Sequence, residues 1–268
     1  MAARETKIVF CADDFGSDES VDDAIIELAE TGKLRAVSVL ISSSRFSEER
    51  FRALLKTRVE IGVHLALTDT TPLTDALSGT RWIDKGEFPR HWRDLQLRLL
   101  YSTPPAELVL QEWRAQLKRL MALTDRITYI DSHQNLHLLP HFSRPMQFLL
   151  NEYKELRVRV FFDLCRRLAP VHLFAALSGR WLYRHRMQNR TWGLYASGNL
   201  TFGAVKEVVG QIVAVGGEGW IVTHPGLSDD PMPPLRYKLN WRSEYQLLRS
   251  IELQEFLHSK GLSFGAMS

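Results

Sequence analysis

Apolar and polar residues alternate in two distinct periods along the first quarter of the chain. Short apolar runs, which are typical of buried strands, occur at residues 7–12, 35–41 and 59–65. Between them, apolar residues return every three or four positions, which predicts amphipathic helices over 21–28 and 46–56. Asp18 or Ser20 is expected to cap the first helix, and Gly32 to end it. Strands separated by helices in this order predict right-handed crossovers and a parallel sheet.

The rest of the chain repeats this alternation with two interruptions. Further strands are predicted at 127–131, 157–161, 219–223 and 262–265, and further helices at 106–123, after Pro140, at 202–215 and at 241–259. The irregular stretches 68–104 and 163–196 are expected to be loop insertions. About seven strands, each followed by a helix or a loop, favour a single domain over residues 1–268. The predicted fold class is α/β, a distorted (β/α) barrel rather than an open doubly wound sheet.

Composition excludes several classes of protein. The 268 residues are 45% hydrophobic and 24% charged, which is close to the average of globular domains. Cys11 and Cys165 lack the spacing of a zinc ribbon or a disulfide framework, so a reducing compartment is expected. The net charge of +3 is too small, and the basic residues too dispersed, to indicate nucleic-acid binding. No apolar run is long enough for a signal peptide or a transmembrane segment, which predicts a cytoplasmic protein.

Carboxylates and imidazoles collect where the predicted strands end, which is where barrels place their active sites. Four strands end in such residues, namely Asp13 with Asp14, His64, His133 with His137, and His224. One carboxylate and two imidazoles, with positions left for water and substrate, are typical of a catalytic rather than a structural metal site. A second carboxylate could then act as general base and a further histidine as general acid.

Each of these signals also has a simpler interpretation. Asp14 could cap the helix that follows it, and His64 could be a histidine of the core. His133 and His137 would share a face only if their segment is helical; otherwise His137 could orient its neighbour or pack. Two other functions stay open at this point. One is a metal-dependent phosphoesterase, which usually needs two ions and more ligands. The other is a non-catalytic sugar-binding protein.

Four ordered motifs resemble those of the YdjC-like carbohydrate deacetylases. They are ADDFG at 12–16, GVHLALTDTTPL at 62–73, DSHQNLHLLP at 131–140, and HPG at 224–226 with Arg242, Glu244 and Leu248 behind it. The resemblance covers most of the chain and implies a (β/α) barrel related to polysaccharide deacetylases. It also implies a hydrolase of a linear amide bond, which removes the N-acetyl group from an amino sugar, an N-acetylated glycan or a glycolipid.

The resemblance further implies a role for individual residues. Asp14, His64 and His133 become the ligands of one divalent cation, magnesium or zinc, and Asp13 becomes the general base. His224 is expected to act as general acid. Contacts to the substrate are expected from Arg159, His137 and Asn199.

Three positions depart from the family pattern. Gln134 and Asn135 stand where chitooligosaccharide deacetylases usually carry histidines, and Asn199 stands where relatives often carry an aspartate. The N-acetylated sugar, free or lipid-linked, is therefore left open. Arginines and aromatic residues are frequent over 163–192, a region that could meet a lipid-linked substrate at a membrane surface. A solvated helix with an apolar underside is the favoured interpretation of that region. A homo-oligomer is compatible with the sequence.

Overall fold

A computed structural model describes residues 6–89, 94, 97–98, 101, 104–163, 170–228 and 239–264 of the protein. The strands are β1 (Lys7–Phe15), β2 (Ala36–Val39), β3 (Glu60–Leu65), β4 (Ile127–Ser132), β5 (Arg157–Phe161), β6 (Met187–Trp192) and β7 (Glu218–Thr223). The helices are α1 (Glu19–Glu30), α2 (Glu48–Leu55), α3 (Ala106–Met121), α4 (Pro140–Glu152), α5 (Pro170–Leu182), α6 (Phe202–Val215), α7 (Trp241–Arg249) and α8 (Ile251–Ser259).

The seven strands form one closed parallel barrel in chain order, and β7 pairs with β1 to close it. The predicted (β/α) barrel of about seven strands is thus confirmed. Register shifts interrupt the pairing of β1 with β2, of β3 with β4 and of β5 with β6, which accounts for the distortion. Because all strands run in the same direction, their carboxyl ends open at one end of the barrel.

The local sequence explains where α1 begins and ends, as predicted. The Asp18 side chain accepts a hydrogen bond from the backbone N–H of Ser20 and so caps α1. Beyond its last turn, Gly32 adopts a φ of 71°, a left-handed conformation that glycine reaches without a steric penalty. Between cap and stop, α1 buries one apolar stripe that includes Val21, Ala24, Ile25 and Leu28.

Three predicted elements differ from the structure, although the number of strands is right. The stretch 163–196 is not a loop insertion, because α5 and β6 lie within it. The sequence of β6, Met-Gln-Asn-Arg-Thr-Trp, contains no apolar run, yet its backbone pairs with both β5 and β7. Conversely, residues 262–264 do not form a strand, and Phe264 makes only an isolated bridge to Ile8; residue 265 of the predicted strand lies outside the described residues. The single helix predicted over 241–259 is divided at Ser250, whose ψ of 141° is extended.

The barrel interior is filled rather than open. Residues that face inward from four strands form a small cluster of Val9, Cys11, Ala36, Tyr129 and Trp220, separate from the larger core between strands and helices. The rings of Tyr129 and Trp220 meet edge to face at 5.2 Å. This cluster forms a floor beneath the carboxyl ends of the strands. Within the described ranges, no helix has the length and apolar character that crossing a membrane requires.

Candidate metal centre and active site

Inward-facing side chains are arranged in layers, because alternate residues of a strand point to the same side. One layer above the floor cluster lie buried polar side chains from five strands: Asp13, Ser38, His64, Asp131 and Arg159. Strand register sets these side chains next to one another, since His64 of β3 pairs directly with Asp131 of β4. The strand ends therefore bring together most of the carboxylates and imidazoles that the sequence singles out.

Asp14 reaches the same end of the barrel through a local turn of the backbone. In an uninterrupted strand, Asp13 and Asp14 would point to opposite sides. Here Asp14 adopts a φ of 67°, and the pairing of β1 with β2 shifts between Ala12 and Phe15. The left-handed residue lets both carboxylates lie at the site. The alternative that Asp14 caps α1 is excluded, because Asp18 fills that position.

Asp14, His64 and His133 form a compact group of three. The Asp14 Oδ1 atom lies 2.9 Å from His133 Nδ1 and 3.3 Å from His64 Nε2. One ligand atom of each residue lies within 4.8 Å of the other two, and all three side chains are buried. Burial opposes charge on Asp14, but His133 and His64 outweigh it and hold the pKa of this carboxyl well below its usual range.

The electrostatic field of this group favours a cation. Burial disfavours the charged form of His64, but Asp131, Asp13 and Asp14 outweigh it and raise its pKa to about 9. Burial also disfavours the charged form of His133, but Asp14 and Asp69 outweigh it and raise the pKa of His133 to about 10. A field that draws protons onto two buried imidazoles will also draw a metal ion. One carboxylate and two imidazoles are a suitable donor set for a divalent cation, so the residues present fit such an ion.

Each histidine of the group contacts a further carboxylate through the ring nitrogen that does not face Asp14. His64 Nδ1 lies 2.5 Å from Asp131 Oδ1. His133 Nε2 lies 3.3 Å from Asp69 Oδ2, and the Gln134 side chain donates to the same oxygen at 2.8 Å. Such partners fix the orientation of an imidazole and leave its other nitrogen to face an ion. Sequence reasoning assigned no role to Asp131 or Asp69, although both lie inside the motifs at 131–140 and 62–73.

Backbone strain is concentrated around this group. Five non-glycine residues in the described ranges have a positive φ, and four of them border the site: Asp14, Asp69, Gln134 and Asn135. Such conformations persist only where surrounding contacts hold them, and they are common at functional sites.

Asp13 is held beside the group by Arg159. The Arg159 guanidinium donates to both carboxylate oxygens of Asp13, at 2.5 and 2.6 Å, and its Nε lies 3.1 Å from Asp131 Oδ2. Arg159 is fully buried, so its charge is neutralised by these carboxylates and not by solvent. Burial disfavours its charge, but Asp13 and Asp131 outweigh burial and keep the pKa of Arg159 well above its usual range. The structure places Arg159 between two carboxylates rather than at the mouth of the barrel.

His224 lies next to Asp13 on the neighbouring strand end. β1 and β7 pair through Ala12 and Thr223, so the residues that follow them are adjacent. The backbone N–H of His224 donates to Glu244 Oε2 at 2.6 Å, and Leu200 N–H donates to Glu244 Oε1 at 2.9 Å. The buried His224 Nδ1 has no hydrogen-bond partner among the described residues. The sequence analysis named Glu244 only as part of the motif that follows HPG, two residues after Arg242, and assigned it no role.

His137 and Asn199 are not brought into this group. Left-handed backbone at Gln134 and Asn135 breaks the turn, so His137 does not share a helical face with His133. The His137 ring is fully buried, with Nε2 2.9 Å from the Arg159 carbonyl and Nδ1 2.7 Å from Ser132 Oγ. Burial lowers its pKa to about 4. Asn199 is exposed, and its Oδ1 accepts from Asn240 Nδ2 at 2.5 Å.

Fold and site together define a closed parallel (β/α) barrel with a candidate metal centre at the carboxyl ends of its strands. The family model described as YdjC-like protein matches residues 7–259, and the chain therefore belongs to the YdjC-like family, as the sequence motifs predict.

Named relatives and a solved structure agree with this assignment. The chain is 27% identical over 252 residues to carbohydrate deacetylase 1 of Listeria innocua serovar 6a, covering 94% of both chains. It is 28% identical over 148 residues to a carbohydrate deacetylase of Brevibacillus brevis, covering 55% of this chain and 57% of that one. A crystal structure from Enterococcus faecalis V583, provisionally described as a cellobiose-phosphate cleavage protein, has the same fold. It superposes with a TM-score of 0.77 at 22% identity and 97% coverage of both chains.

Proposed function

We propose that this protein is a metal-dependent carbohydrate deacetylase, which removes the N-acetyl group from an amino sugar, an N-acetylated glycan or a glycolipid. One observation carries the proposal: Asp14, His64 and His133 form a ligand group, and Asp13 is held beside it by Arg159. The names of the Listeria and Brevibacillus relatives support the substrate class. Magnesium or zinc as the ion, and the cytoplasm as the compartment, stay predictions.

Asp14, His64 and His133 would hold the cation, which when bound lowers the pKa of a coordinated water and polarises the acetamide carbonyl. Asp13 accepts the proton that the attacking water gives up. Both oxygens of Asp13 are fixed by Arg159, so the carboxylate keeps one orientation and its remaining lone pairs stay available.

Arg159 acts as a positioning residue in this proposal, in place of the substrate contact expected from the sequence. Its guanidinium links the proposed base Asp13 to Asp131, the carboxylate behind His64. One buried side chain thus sets the position of the base and of a metal ligand together. His137 also has a positioning role in this proposal, because its Nε2 atom is hydrogen-bonded to the backbone carbonyl of Arg159.

His224 is the proposed general acid, which gives a proton to the departing amine. Its ring is almost fully buried beside Asp13, and Glu244 holds its backbone in place. No described residue engages its Nδ1 atom, so this atom is available for proton transfer to a substrate.

A single ion is favoured over the pair that many phosphoesterases use. A second possible grouping, of Asp13, His64 and Asp131, shares His64 with the first. Its two carboxylates are already bound by Arg159, so an ion there would have to displace a buried guanidinium. The geometry therefore supports one ion and a general base rather than two ions.

The test is acetate release from N-acetylated substrates by the wild type and by Asp13→Asn. The panel contains N-acetylglucosamine, diacetylchitobiose and an N-acetylglucosaminyl glycolipid, with magnesium, manganese, cobalt or zinc added after EDTA treatment. Asparagine keeps the shape of Asp13 but cannot accept the proton, so we expect a fall in kcat of about 10²–10⁴-fold. Metal content, measured by elemental analysis, should be unchanged.

Arg159→Lys is the matched variant for the positioning role. Lysine keeps the charge but cannot hold both oxygens of Asp13 at once, so kcat should fall with little change in KM. Full activity of Asp13→Asn on a substrate that the wild type deacetylates would refute the proposed base. Phosphate release from a sugar phosphate, with no acetate release from any substrate of the panel, would favour the phosphoesterase alternative.

A further inference from the structure

Helix α5 packs on the barrel through only one of its sides. Ala176 and Tyr183 on this side are buried, and a Cβ on Gly179 would lie 2.6 Å from a methyl carbon of Leu138. The Tyr183 hydroxyl donates to the His137 carbonyl at 2.6 Å. The inner side of α5 is thus covered by β5 and by the segment that follows β4.

Large apolar side chains lie on the opposite side of α5. Their exposed fractions are 43% for Leu173, 53% for Phe174, 52% for Leu177 and 68% for Trp181. At the helical rotation of about 100° per residue, these four positions fall within an arc of about 100°. A surface helix ordinarily turns such a stripe toward the core. The interpretation favoured from the sequence, a solvated face with an apolar underside, agrees with the buried side of α5 but does not account for the four large apolar residues on its exposed side.

A cation lies at the carboxyl end of this apolar stripe, in a part of the sequence that is rich in arginine. Residues 164–206 contain six arginines, one lysine and no aspartate or glutamate. Arg184 lies just beyond the helix, with its guanidinium 6.0 Å from the centroid of the Trp181 ring. In the described ranges its hydrogen bonds go to Trp181 and His185, and no carboxylate neutralises it. The surface combines exposed Leu, Phe and Trp with the cation of Arg184.

We propose that α5 is a docking helix for an anionic membrane surface. Leu173, Phe174, Leu177 and Trp181 would enter the headgroup region, and Arg184 would bind lipid phosphate. Helices with Trp, Phe and Leu on one face and basic residues beside them lie in the plane of the membrane interface. Anionic headgroups attract such basic residues. With 13 residues, α5 is about 20 Å long, which suits a helix that lies on the surface.

The charge pattern favours lipid over a second copy of the chain. In a two-fold dimer built on this surface, the same patch meets itself, so the Arg184 of each copy would meet a surface with the composition of its own helix. Because residues 164–206 contain no aspartate or glutamate, the partner's α5 would offer no carboxylate to neutralise that charge. An anionic bilayer supplies both an apolar layer and the opposite charge.

Docking through α5 also has a consequence for the site. α5 follows β5 in the chain, so its first turn lies at the carboxyl end of the barrel, where the candidate active site opens. A lipid surface against α5 would lie beside that opening and could present a lipid-linked sugar to it. This consequence rests on the proposed function, whereas the docking itself does not.

The test is flotation of the full-length protein with phosphatidylcholine vesicles and with vesicles that also contain phosphatidylglycerol. We expect binding to the anionic vesicles that is about tenfold tighter than to phosphatidylcholine and that weakens as salt is added. The double variant Leu177→Glu with Trp181→Glu should bind at least about tenfold more weakly, because it places charge in the apolar stripe. Arg184→Glu should lose the anionic preference.

Matched controls come from another surface helix. Val213→Glu with Val215→Glu introduces the same charge at two exposed apolar positions of α6 and should bind like the wild type. Circular dichroism and melting temperature verify that each variant is folded. The proposal is overturned if anionic vesicles do not bind the wild type, or if the α5 and α6 variants lose binding equally. A dimer in light scattering that Trp181→Glu dissociates, without vesicle binding, would assign the surface to a second copy instead.

Discussion

At the scale of single residues, Asp22 couples the stability of the first helix to pH. Its side chain is buried, and its Oδ1 accepts a 2.5 Å hydrogen bond from the backbone N–H of Gly16, in the turn that follows Asp14. Burial raises its pKa from 3.8 to about 8, against the opposing effects of Gly16 and Arg50. Between these two values the folded state keeps a proton that the unfolded state releases. The contribution of Asp22 to the free energy of unfolding is therefore fully present below pH 3.8 and decreases as the pH rises toward 8.

Asp22→Asn tests this coupling. Asparagine keeps an oxygen for Gly16 but cannot ionise, so its free energy of unfolding should vary less between pH 5 and pH 8. From pH 5 to pH 8, the free energy of unfolding of the variant should rise relative to that of the wild type by more than about 1 kcal/mol, since one pKa unit corresponds to about 1.4 kcal/mol. Urea denaturation at both pH values measures the difference. The control Asp23→Asn, at a half-exposed neighbour paired with Arg50, should gain little; equal gains in both variants would disprove the assignment.

The sequence best predicted the position of the residues that follow apolar strands. Asp13, Asp14, His64 and His133 are conspicuous because a polar side chain directly after a buried strand must lie at a barrel end. Asp69 and Asp131 were overlooked because their roles depend on contacts with His133 and His64, which no local pattern records. The same limit applies to His137, whose burial depends on the left-handed turn before it.

At the scale of secondary-structure elements, close packing inside the barrel depends on Gly62. This residue faces the floor cluster from β3, and a Cβ there would lie 2.2 Å from the Tyr129 ring. Gly62→Ala should therefore destabilise the protein by about 1–3 kcal/mol. Gly210→Ala is the control, because no atom lies within 4 Å of its Cβ position in α6. We expect this control to stabilise by about 0.5–1 kcal/mol.

A double-mutant cycle shows whether the contact itself is responsible. Tyr129→Leu removes the ring that Gly62 abuts, so the cost of Gly62→Ala should be smaller in that background. Denaturant unfolding of the four proteins gives the interaction energy. An identical cost in both backgrounds would mean that backbone conformation at Gly62, not the Tyr129 ring, sets the effect.

Most elements with a visible period were predictable from it. The helix over 202–215 has the bounds expected from its apolar spacing, and β3 differs by one residue. β6 was not predictable, because its backbone is paired on both sides while its sequence is mostly polar. The apolar residues of α5 recur with a helical period, but their stripe faces away from the barrel. Periodicity reveals such a stripe without telling whether the core or another surface covers it.

At the scale of the whole molecule, the candidate metal ligands connect separate parts of the barrel. Asp14 lies on β1, His64 on β3, and His133 follows β4. The three meet only when these strands are assembled, so an ion held by all three binds the folded state and not the unfolded chain. Binding of this kind adds a free energy of RT ln(1 + [L]/Kd) to stability, about 2.7 kcal/mol at an ion concentration one hundred times Kd.

We therefore expect one cooperative unfolding transition whose melting temperature rises by several degrees when the correct ion is added to EDTA-treated protein. Asp14→Asn should abolish the increase because a carboxylate ligand is lost, whereas Asp13→Asn should retain it. Calorimetry with magnesium, manganese, cobalt and zinc in turn would identify the ion by the largest shift. An unchanged melting temperature with all four would show that the group does not hold an ion. Equal shifts in both variants would place the ion elsewhere.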